Sequence, residues 1–215
     1  DDELAGGLAY TRAANFTLLK DRAGDWYSYR LTYTLSQLEN DTDDINFRAA
    51  DSNRFEREWG PSLNDRTHVF NTLLQVHPSP SWTFSLAGLV QSGQPANRIP
   101  DATIYGTADL NGDGRLFGDS YVGNNDRSPG ESRNSDRLPW SQVFDLGVAY
   151  KLPLGTGNLE LRMDVFNVFN EENLSGYANN ATQSNQIQVG PSTRGIVKRN
   201  EGPRRQFQFG ARYVF

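Results

Sequence analysis

The sequence contains no cysteine, one methionine and only two histidines. The absence of cysteine excludes thiol catalysis, cysteine-ligated zinc sites and disulfide bonds. Long apolar runs are also missing, because no segment approaches the roughly 20 apolar residues that a membrane-spanning helix requires. Hydrophobic residues make up 36% of the 215 residues, and the mean hydropathy is -0.66. A helical membrane protein is therefore excluded.

Basic clusters are absent too, although the chain carries 21 lysines and arginines against 26 aspartates and glutamates. The net charge of -5 comes without a basic patch along the chain, which argues against nucleic acid as a partner. What the chain does have is 12% aromatic residues and 20 glycines. That combination is typical of a sheet-rich protein with many turns.

Alternation of apolar and polar residues with a period of two is the clearest pattern in the sequence. It is strongest in residues 26 to 38, where one face carries Tyr27, Tyr29, Leu31, Tyr33 and Leu35. The same pattern recurs in residues 82 to 91, 144 to 151, 159 to 165 and 207 to 215, and more weakly in 8 to 20 and 66 to 76. Seven strands are predicted.

The connections between these strands alternate in length. Short turns are predicted at residues 21 to 25, 77 to 81 and 153 to 157, and long polar segments at 39 to 64, 92 to 139 and 170 to 203. Outer-membrane barrels alternate short periplasmic turns with long extracellular loops in this way. Trp26, Trp82 and Trp140 fall at predicted strand ends, as interfacial aromatic residues do. The alternative is a soluble antiparallel sandwich, whose strands also alternate.

The pattern thus predicts an all-β fold: an antiparallel transmembrane β-barrel segment of about seven strands. If the short turns are periplasmic, the chain begins outside the cell and ends in the periplasm. A complete bacterial barrel has an even number of strands, so seven implies either a missed strand or a fragment. No secretory signal peptide is visible at Asp1, and the fragment is the favoured interpretation.

Several segments occur in the order found near the end of TonB-dependent receptors. They are Tyr29-Arg-Leu-Thr-Tyr-Thr-Leu-Ser36, Asn40-Asp-Thr-Asp-Asp44, Asp65-Arg-Thr-His-Val-Phe70, Gln91-Ser-Gly-Gln-Pro95, Asp109-Leu-Asn-Gly-Asp-Gly114, Arg133-Asn-Ser135, Asp145-Leu-Gly147 and Asp164-Val-Phe-Asn-Val-Phe-Asn170. The chain resembles the C-terminal barrel portion of that family, in particular the Oar-like branch with a carboxypeptidase-regulatory-like domain.

This resemblance implies that residues 1 to 215 are the C-terminal part of a 22-stranded barrel in the outer membrane of a Gram-negative bacterium. The whole receptor would import an unidentified solute with energy from TonB, which acts through a plug domain that these residues do not contain. Implied partners are outer-membrane lipid and lipopolysaccharide, the upstream strands of the same receptor and the barrel-assembly machinery. The alternative function is a small self-standing barrel of eight strands that acts as an anchor or adhesin.

The end of the chain resembles the assembly signal that the barrel-assembly machinery reads. Its apolar residues occupy every second position up to a terminal aromatic residue: Phe207, Phe209, Ala211, Tyr213 and Phe215. An unpaired last strand also offers free N–H and C=O groups to a partner strand. We therefore predict that these five residues form a recognition strand.

A candidate Ca²⁺ loop lies in the second long segment. Asp109, Asn111 and Asp113 supply oxygen at the first, third and fifth positions, and the carbonyl of Arg115 is a candidate seventh ligand. An EF-hand requires glutamate at position twelve, whereas this chain has Asp119 one residue earlier. The alternative is an ordinary Asp/Asn/Gly turn that needs no ion.

Catalysis is not expected. The two histidines are the only side chains that ordinarily titrate near neutral pH. His77 precedes Pro78 in a predicted turn, and His68 shares the apolar face with Phe70. No arrangement of nucleophile, base and orienting group is apparent. The predicted lumen-facing charges either shape a solute path or pair with one another and with a plug; they are Arg30, Glu160, Arg162, Asp164 and Arg212.

Overall fold

The structure is a computed structural model in which seven long strands form one antiparallel sheet. It describes residues 7–43, 49–51, 53–107, 109–112, 114, 126–175, 186–190, 193–196, 200–201 and 203–215. The long strands are β1 (Ala9–Lys20), β2 (Tyr27–Asn40), β4 (His68–Ser79), β5 (Trp82–Gln91), β8 (Ser141–Leu154), β9 (Gly157–Phe166) and β14 (Gln206–Val214). In the described part of the chain, no helix has the length and apolar character needed to cross a membrane.

Each long strand pairs with the strand that follows it in the meander, in the order β1-β2-β4-β5-β8-β9-β14. All seven strands predicted from the sequence are therefore confirmed, and the fold is all-β and antiparallel. An eighth, two-residue strand, β3 (Gly60–Pro61), extends the sheet by pairing with the end of β2.

The turns at one end of the sheet are short, and those at the other end are long, as predicted. Two-residue turns join β4 to β5 and β8 to β9. The first of these is shorter than the predicted turn at 77 to 81, because β4 continues through His77 and Pro78. A bulge between Val76 and Ser79 shifts the register there, and bulges are positions where a sheet tolerates proline.

The three long connections are named here loop A (41–67), loop B (92–140) and loop C (167–205), and they contain short elements that the sequence did not predict. Loop A contains a 3-10 helix, Phe55–Glu58, and loop B contains α1 (Ala102–Tyr105). The short strands are β6 (Pro95–Ile99), β7 (Asp136–Arg137), β10 (Leu174–Ser175), β11 (Gln186–Gly190), β12 (Thr193–Ile196) and β13 (Asn200–Glu201). Because β6 pairs with β11 in parallel, loop B is joined to loop C.

The register places most of the apolar residues of the seven strands on the same face of the sheet. Leu31 of β2 lies between Leu18 and Thr72, and Leu86 of β5 lies between Leu74 and Leu146. The alignment continues through Val148, Met163 and Phe209 at the far edge. Since side chains alternate between faces, the intervening polar residues share the opposite face.

No described part of the chain covers this apolar face. Of the described residues, only three non-proline apolar side chains are buried: Ala96, Leu138 and Val165. Leu18 is 57% exposed and Phe209 is 73% exposed. In a soluble sandwich a second sheet would pack on such a face, and the described residues form no such layer. The described residues therefore do not supply the second sheet that the sandwich alternative requires.

The sheet is open at both edges. β1 lies at one edge and β14 at the other, and these two strands do not pair with each other in the described structure. Because directions alternate along a seven-strand antiparallel meander, β1 and β14 run the same way. Joining these edges directly would require a parallel seam.

Candidate functional site

Aromatic rings cluster on the apolar face near the short-turn end of the sheet. Trp26 packs against Tyr27 with ring centroids 4.8 Å apart, and Trp82 packs against Tyr150 at 4.5 Å. Phe84 stacks on the other side of Trp82 at 5.7 Å. These rings come from strands β2, β5 and β8, so they form a row across the sheet rather than a local cluster.

A second aromatic row lies on the same face near the long loops. His68 is stacked between Tyr33 and Trp140, at centroid distances of 6.1 and 5.6 Å. The hydroxyl of Tyr33 lies 2.9 Å from Nδ1 of His68. Tyr33 also stacks on Phe70 at 4.5 Å. His68 thus lies on the apolar face, as its position in the alternation predicted.

The band between the two rows is mainly aliphatic. β5 itself runs from Trp82 to Gln91 in ten residues, which is about 30 Å at roughly 3.3 Å per residue. A strand tilt of about 40° would reduce this to about 23 Å, close to the apolar band of about 25 Å in outer-membrane barrels.

The opposite face is polar and carries charged pairs. Arg162 binds Asp164 through two hydrogen bonds of 2.7 and 2.9 Å, and Lys151 lies 3.3 Å from Glu160. Both pairs are partly exposed, so each contributes little to stability. Of the five charges predicted for this face, Glu160, Arg162 and Asp164 thus form pairs within the sheet itself.

A shallow cleft lies at the middle of this polar face. It is lined by Arg30, Asn71, Leu73, Leu89 and Asp145, with further small side chains between them. Arg30 forms no ion pair with a described residue, and Leu73 and Leu89 make an apolar floor beside it. The cleft can therefore contact both charged and apolar groups.

Buried charges join loops A and B. Arg133 of loop B is 1% exposed and contacts Asp43, Asn40 and the carbonyl of Glu58. Burial lowers the pKa of Arg133, and the neighbouring Asp43 opposes that shift. Glu58, which is fully buried, pairs with Arg127 and accepts a 2.8 Å hydrogen bond from the backbone of Ala50.

Asp65 forms a second buried link between the same loops. Its Oδ1 accepts a 2.7 Å hydrogen bond from the backbone N–H of Leu38. Its Oδ2 accepts hydrogen bonds from Thr67 of loop A and from Arg137 of loop B. The carboxylate therefore ties the end of β2 to both loops.

The segment 164 to 170 reverses the chain after β9 through two asparagines. Asn167 and Asn170 have positive φ angles of 50° and 57°, a conformation that asparagine tolerates better than most residues. The backbone N–H of Asn167 donates a 2.8 Å hydrogen bond to Asp145. Its side chain bonds the backbones of Glu171 and Pro203. These contacts hold the two ends of loop C together.

Only part of the candidate Ca²⁺ loop is described, because Asp113, Arg115 and Asp119 lie outside the described residues. Asp109 accepts hydrogen bonds from the backbone N–H groups of Gly112 and Gly114, at 2.8 and 3.0 Å. Asn111 donates its backbone N–H to Asp126 at 3.1 Å. This geometry is that of an Asp-stabilised turn. Within the described residues, no group of three or more potential metal-binding side chains occurs.

The predicted assembly-signal residues lie at the exposed edge of the sheet. Phe207, Phe209, Ala211 and Tyr213 share the apolar face of β14, and Phe215 follows the strand. Tyr213 has a further contact, because its hydroxyl donates a 3.0 Å hydrogen bond to the carbonyl of Leu154. Its ring also lies over Gly157, where a Cβ atom would come within 2.8 Å of it. Tyr213 therefore clamps the turn between β8 and β9.

We expect Tyr213→Phe to lower the free energy of unfolding by about 1 kcal/mol, the usual value of one hydrogen bond. Tyr213→Ala should cost more, because it also removes the ring from Gly157. Urea titration of the folded protein would measure both. Tyr10→Phe is the matched control, since the Tyr10 hydroxyl has no hydrogen bond to a described residue. Equal effects of Tyr213→Phe and Tyr10→Phe would contradict the clamp.

No known family model matches the chain, and no curated protein matches its sequence. The two aromatic rows, the polar face and the buried loop contacts therefore carry the functional argument. Asp65 and Arg133 lie in segments that resemble TonB-dependent receptors, but the sequence alone predicted no role for either residue. The only signal in the sequence was a charged residue inside a long loop. The hydrogen-bond partners of these residues in the other loop, and those of Arg133 at the end of β2, are 72 to 93 positions away.

Proposed function

We propose that this sheet forms part of the wall of a transmembrane β-barrel in the outer membrane of a Gram-negative bacterium. The observation that carries the proposal is the uncovered apolar face, bounded by an aromatic row at each end. Exposing one large apolar side chain to water costs about 1.5 to 3 kcal/mol. A face with Leu18, Leu31, Phe70, Leu161 and Phe209 exposed therefore requires an apolar cover, and lipid supplies one.

The aromatic rows support a bilayer as that cover. Tryptophan and tyrosine rings favour the membrane interface, and the height estimated for a tilted β5 fits the apolar band of outer-membrane barrels. A protein partner would not require rings in two parallel rows across several strands. Outer-membrane lipid and lipopolysaccharide are accordingly the proposed neighbours of this face.

We further propose that the barrel belongs to a TonB-dependent receptor that imports a solute. The polar face, with its charged pairs and the cleft at Arg30, would then line the interior, and loops A, B and C would lie outside the cell. Support for the family comes from the eight ordered segments in the sequence. Several of them supply structural contacts: Asp65, Arg133, Asp145 and Asn167 each form hydrogen bonds that shape the loop end.

In this proposal other strands complete the barrel. Because β1 and β14 run in the same direction, a fully antiparallel closure needs an odd number of additional strands. A 22-stranded receptor meets this condition. Both edge strands are long and lack proline, so neither carries that common protection against edge pairing.

Leu31→Arg and Thr32→Arg test the membrane position of the apolar face. Leu31 lies between the aromatic rows, whereas Thr32 is its neighbour on the polar face and lines the cleft. An arginine near the bilayer midplane costs about 2 to 4 kcal/mol, and we expect that loss for Leu31→Arg. We expect Thr32→Arg to cost less than about 1 kcal/mol, because that face contacts water. Equal losses in vesicle unfolding experiments would contradict the proposal.

The two proposed functions, solute uptake and anchoring, predict different coding sequence upstream of Asp1. A receptor requires a plug domain and further barrel strands there. An eight-stranded anchor or adhesin requires about one more strand. Sequencing that region would therefore decide between the two functions independently of the arginine variants.

A further inference from the structure

We propose that the described parts of loops A and B fold and open as one unit, and that Arg133 is the latch that couples them. The inference concerns the loop end alone and does not depend on which solute is transported. Its basis is that buried bonds to Asp43, to Glu58 and to the end of β2 all meet at this one side chain, beside the separate Glu58–Arg127 and Asp65–Arg137 pairs.

All three nitrogens of the Arg133 guanidinium reach across to loop A or to the end of β2. Nε donates a 2.8 Å hydrogen bond to the carbonyl of Glu58. Nη1 pairs with Asp43, and Nη2 bonds both the carbonyl and the side-chain oxygen of Asn40. A planar fork with several donors can hold these separate acceptors together, and the single ammonium of lysine cannot.

The backbones of the two loops are in contact at the same place. A Cβ atom on Gly60 would lie 2.4 Å from the carbonyl oxygen of Arg133. Asn134, the next residue, donates hydrogen bonds of 2.8 Å to Asp43 and to the carbonyl of Pro61. The latch is therefore enclosed, and water cannot replace its bonds while the loops remain together.

Asp43 extends the influence of Arg133 through loop A. Its Oδ1 accepts hydrogen bonds from Ser62 and from the backbone of Leu63, at 3.1 and 2.9 Å. Glu58 extends it in the other direction, through its pair with Arg127 of loop B. The four charges of Asp43, Glu58, Arg127 and Arg133 sum to zero. Removing Arg133 would leave an uncompensated negative charge in a buried site, which is strongly unfavourable.

The consequence is reciprocal coupling. If the two loops share one opening equilibrium, a change that loosens loop B must also loosen loop A, and a change in loop A must loosen loop B. A ligand that touches only one of these loops would then change the accessibility of the other.

Because residues 1 to 215 contain no cysteine, a direct test is possible in the complete barrel inserted in lipid vesicles. Single cysteines replace buried residues one at a time: Ser62→Cys reports on loop A, Leu138→Cys on loop B and Val165→Cys on the sheet. Because Ser62→Cys alters the hydrogen bond to Asp43, each rate is compared with that of the same reporter in the otherwise unchanged protein. The rate of reaction with a maleimide measures the opening of each region. All three positions are less than about 10% exposed, so each reporter should react slowly in the parent chain.

We expect Arg133→Gln to accelerate labelling of both loop reporters at least about tenfold, because breaking a buried ion pair shifts an equilibrium by more than that factor. Labelling of Val165→Cys should not change. Arg133→Lys should give an intermediate acceleration of both loops. Arg54→Gln is the matched control, because Arg54 of loop A is exposed and lies 3.9 Å from its partner Asp51; this change should leave both rates within about twofold.

Asp43→Asn provides the reciprocal measurement. This change lies in loop A, and we expect it to accelerate labelling of Leu138→Cys in loop B. If Arg133→Gln also accelerates labelling of Val165→Cys, that variant opens the sheet as well as the loops. Asp43→Asn then becomes the variant that decides the test. Acceleration confined to the loop that carries the substitution, in either direction, would overturn the proposal.

Discussion

Replacement of Asp65 by alanine should lower the free energy of unfolding by about 3 kcal/mol, near the lower end of the range for breaking a buried ion pair. The carboxylate is 2% exposed and holds the Leu38 backbone N–H, Thr67 and Arg137. Alanine leaves that N–H without an acceptor. Arg137 is 36% exposed, so water can partly replace its lost partner. The expected loss of unfolding free energy therefore stays below the upper end of the range for buried ion pairs.

Asp65→Asn and Asp51→Ala separate the contributions to this loss. Asparagine retains an oxygen for the Leu38 N–H, so Asp65→Asn should cost less than Asp65→Ala. Asp51→Ala removes an exposed carboxylate with a weak ion pair and should cost less than about 1 kcal/mol. Urea unfolding in vesicles measures all three variants. A loss for Asp65→Ala no larger than for Asp51→Ala would show that the buried link contributes nothing.

Gly93→Ala should be comparably destabilising, by about 3 kcal/mol, at the upper end of the usual range for overpacking. A Cβ atom at this position would lie 1.5 Å from the carbonyl oxygen of Leu138 and 2.9 Å from that of Pro139. Both are backbone atoms, so no side-chain rotation can relieve the overlap. The two ends of loop B would have to separate where Leu138 donates its N–H to Gln94.

Gly210→Ala is the matched control for this substitution. A Cβ atom on Gly210 of β14 meets no atom within 4 Å. Alanine there also restricts the unfolded chain, which favours folding by a fraction of a kcal/mol. We therefore expect Gly210→Ala to be neutral or slightly stabilising in the same unfolding measurement. A similar loss for both glycine variants would mean that close backbone contact at Gly93 is not the cause.

The sheet was predictable because its signal is local. Alternation with period two depends only on nearest neighbours, so residues such as Tyr33 and Leu31 identify both the strand and the face without knowledge of their partners. The lengths of the connections then predicted which strands pair. The predicted end of β4 was less accurate, because the bulge at Val76 lets the strand continue through Pro78.

The loop contacts were not predictable for the opposite reason. Arg133 and Asp43 are 90 positions apart, and nothing in either neighbourhood indicates the other. The same holds for Gly93, whose need for glycine arises from the carbonyl of Leu138 and not from a turn conformation. The Asp109 segment has local ligand spacing but only a partly described loop. Calcium binding there stays a prediction.

The shared direction of β1 and β14 also limits what can close the sheet. A cylinder built only from copies of this chain would place β14 of one copy beside β1 of the next, and each such seam would be parallel. Turning alternate copies upside down would make the seams antiparallel, but it would send the long loops of those copies to the opposite side of the proposed membrane. Insertion from one side gives every copy the same orientation. Strand direction, together with one-sided insertion into the proposed membrane, therefore favours neighbours whose sequence differs from this one.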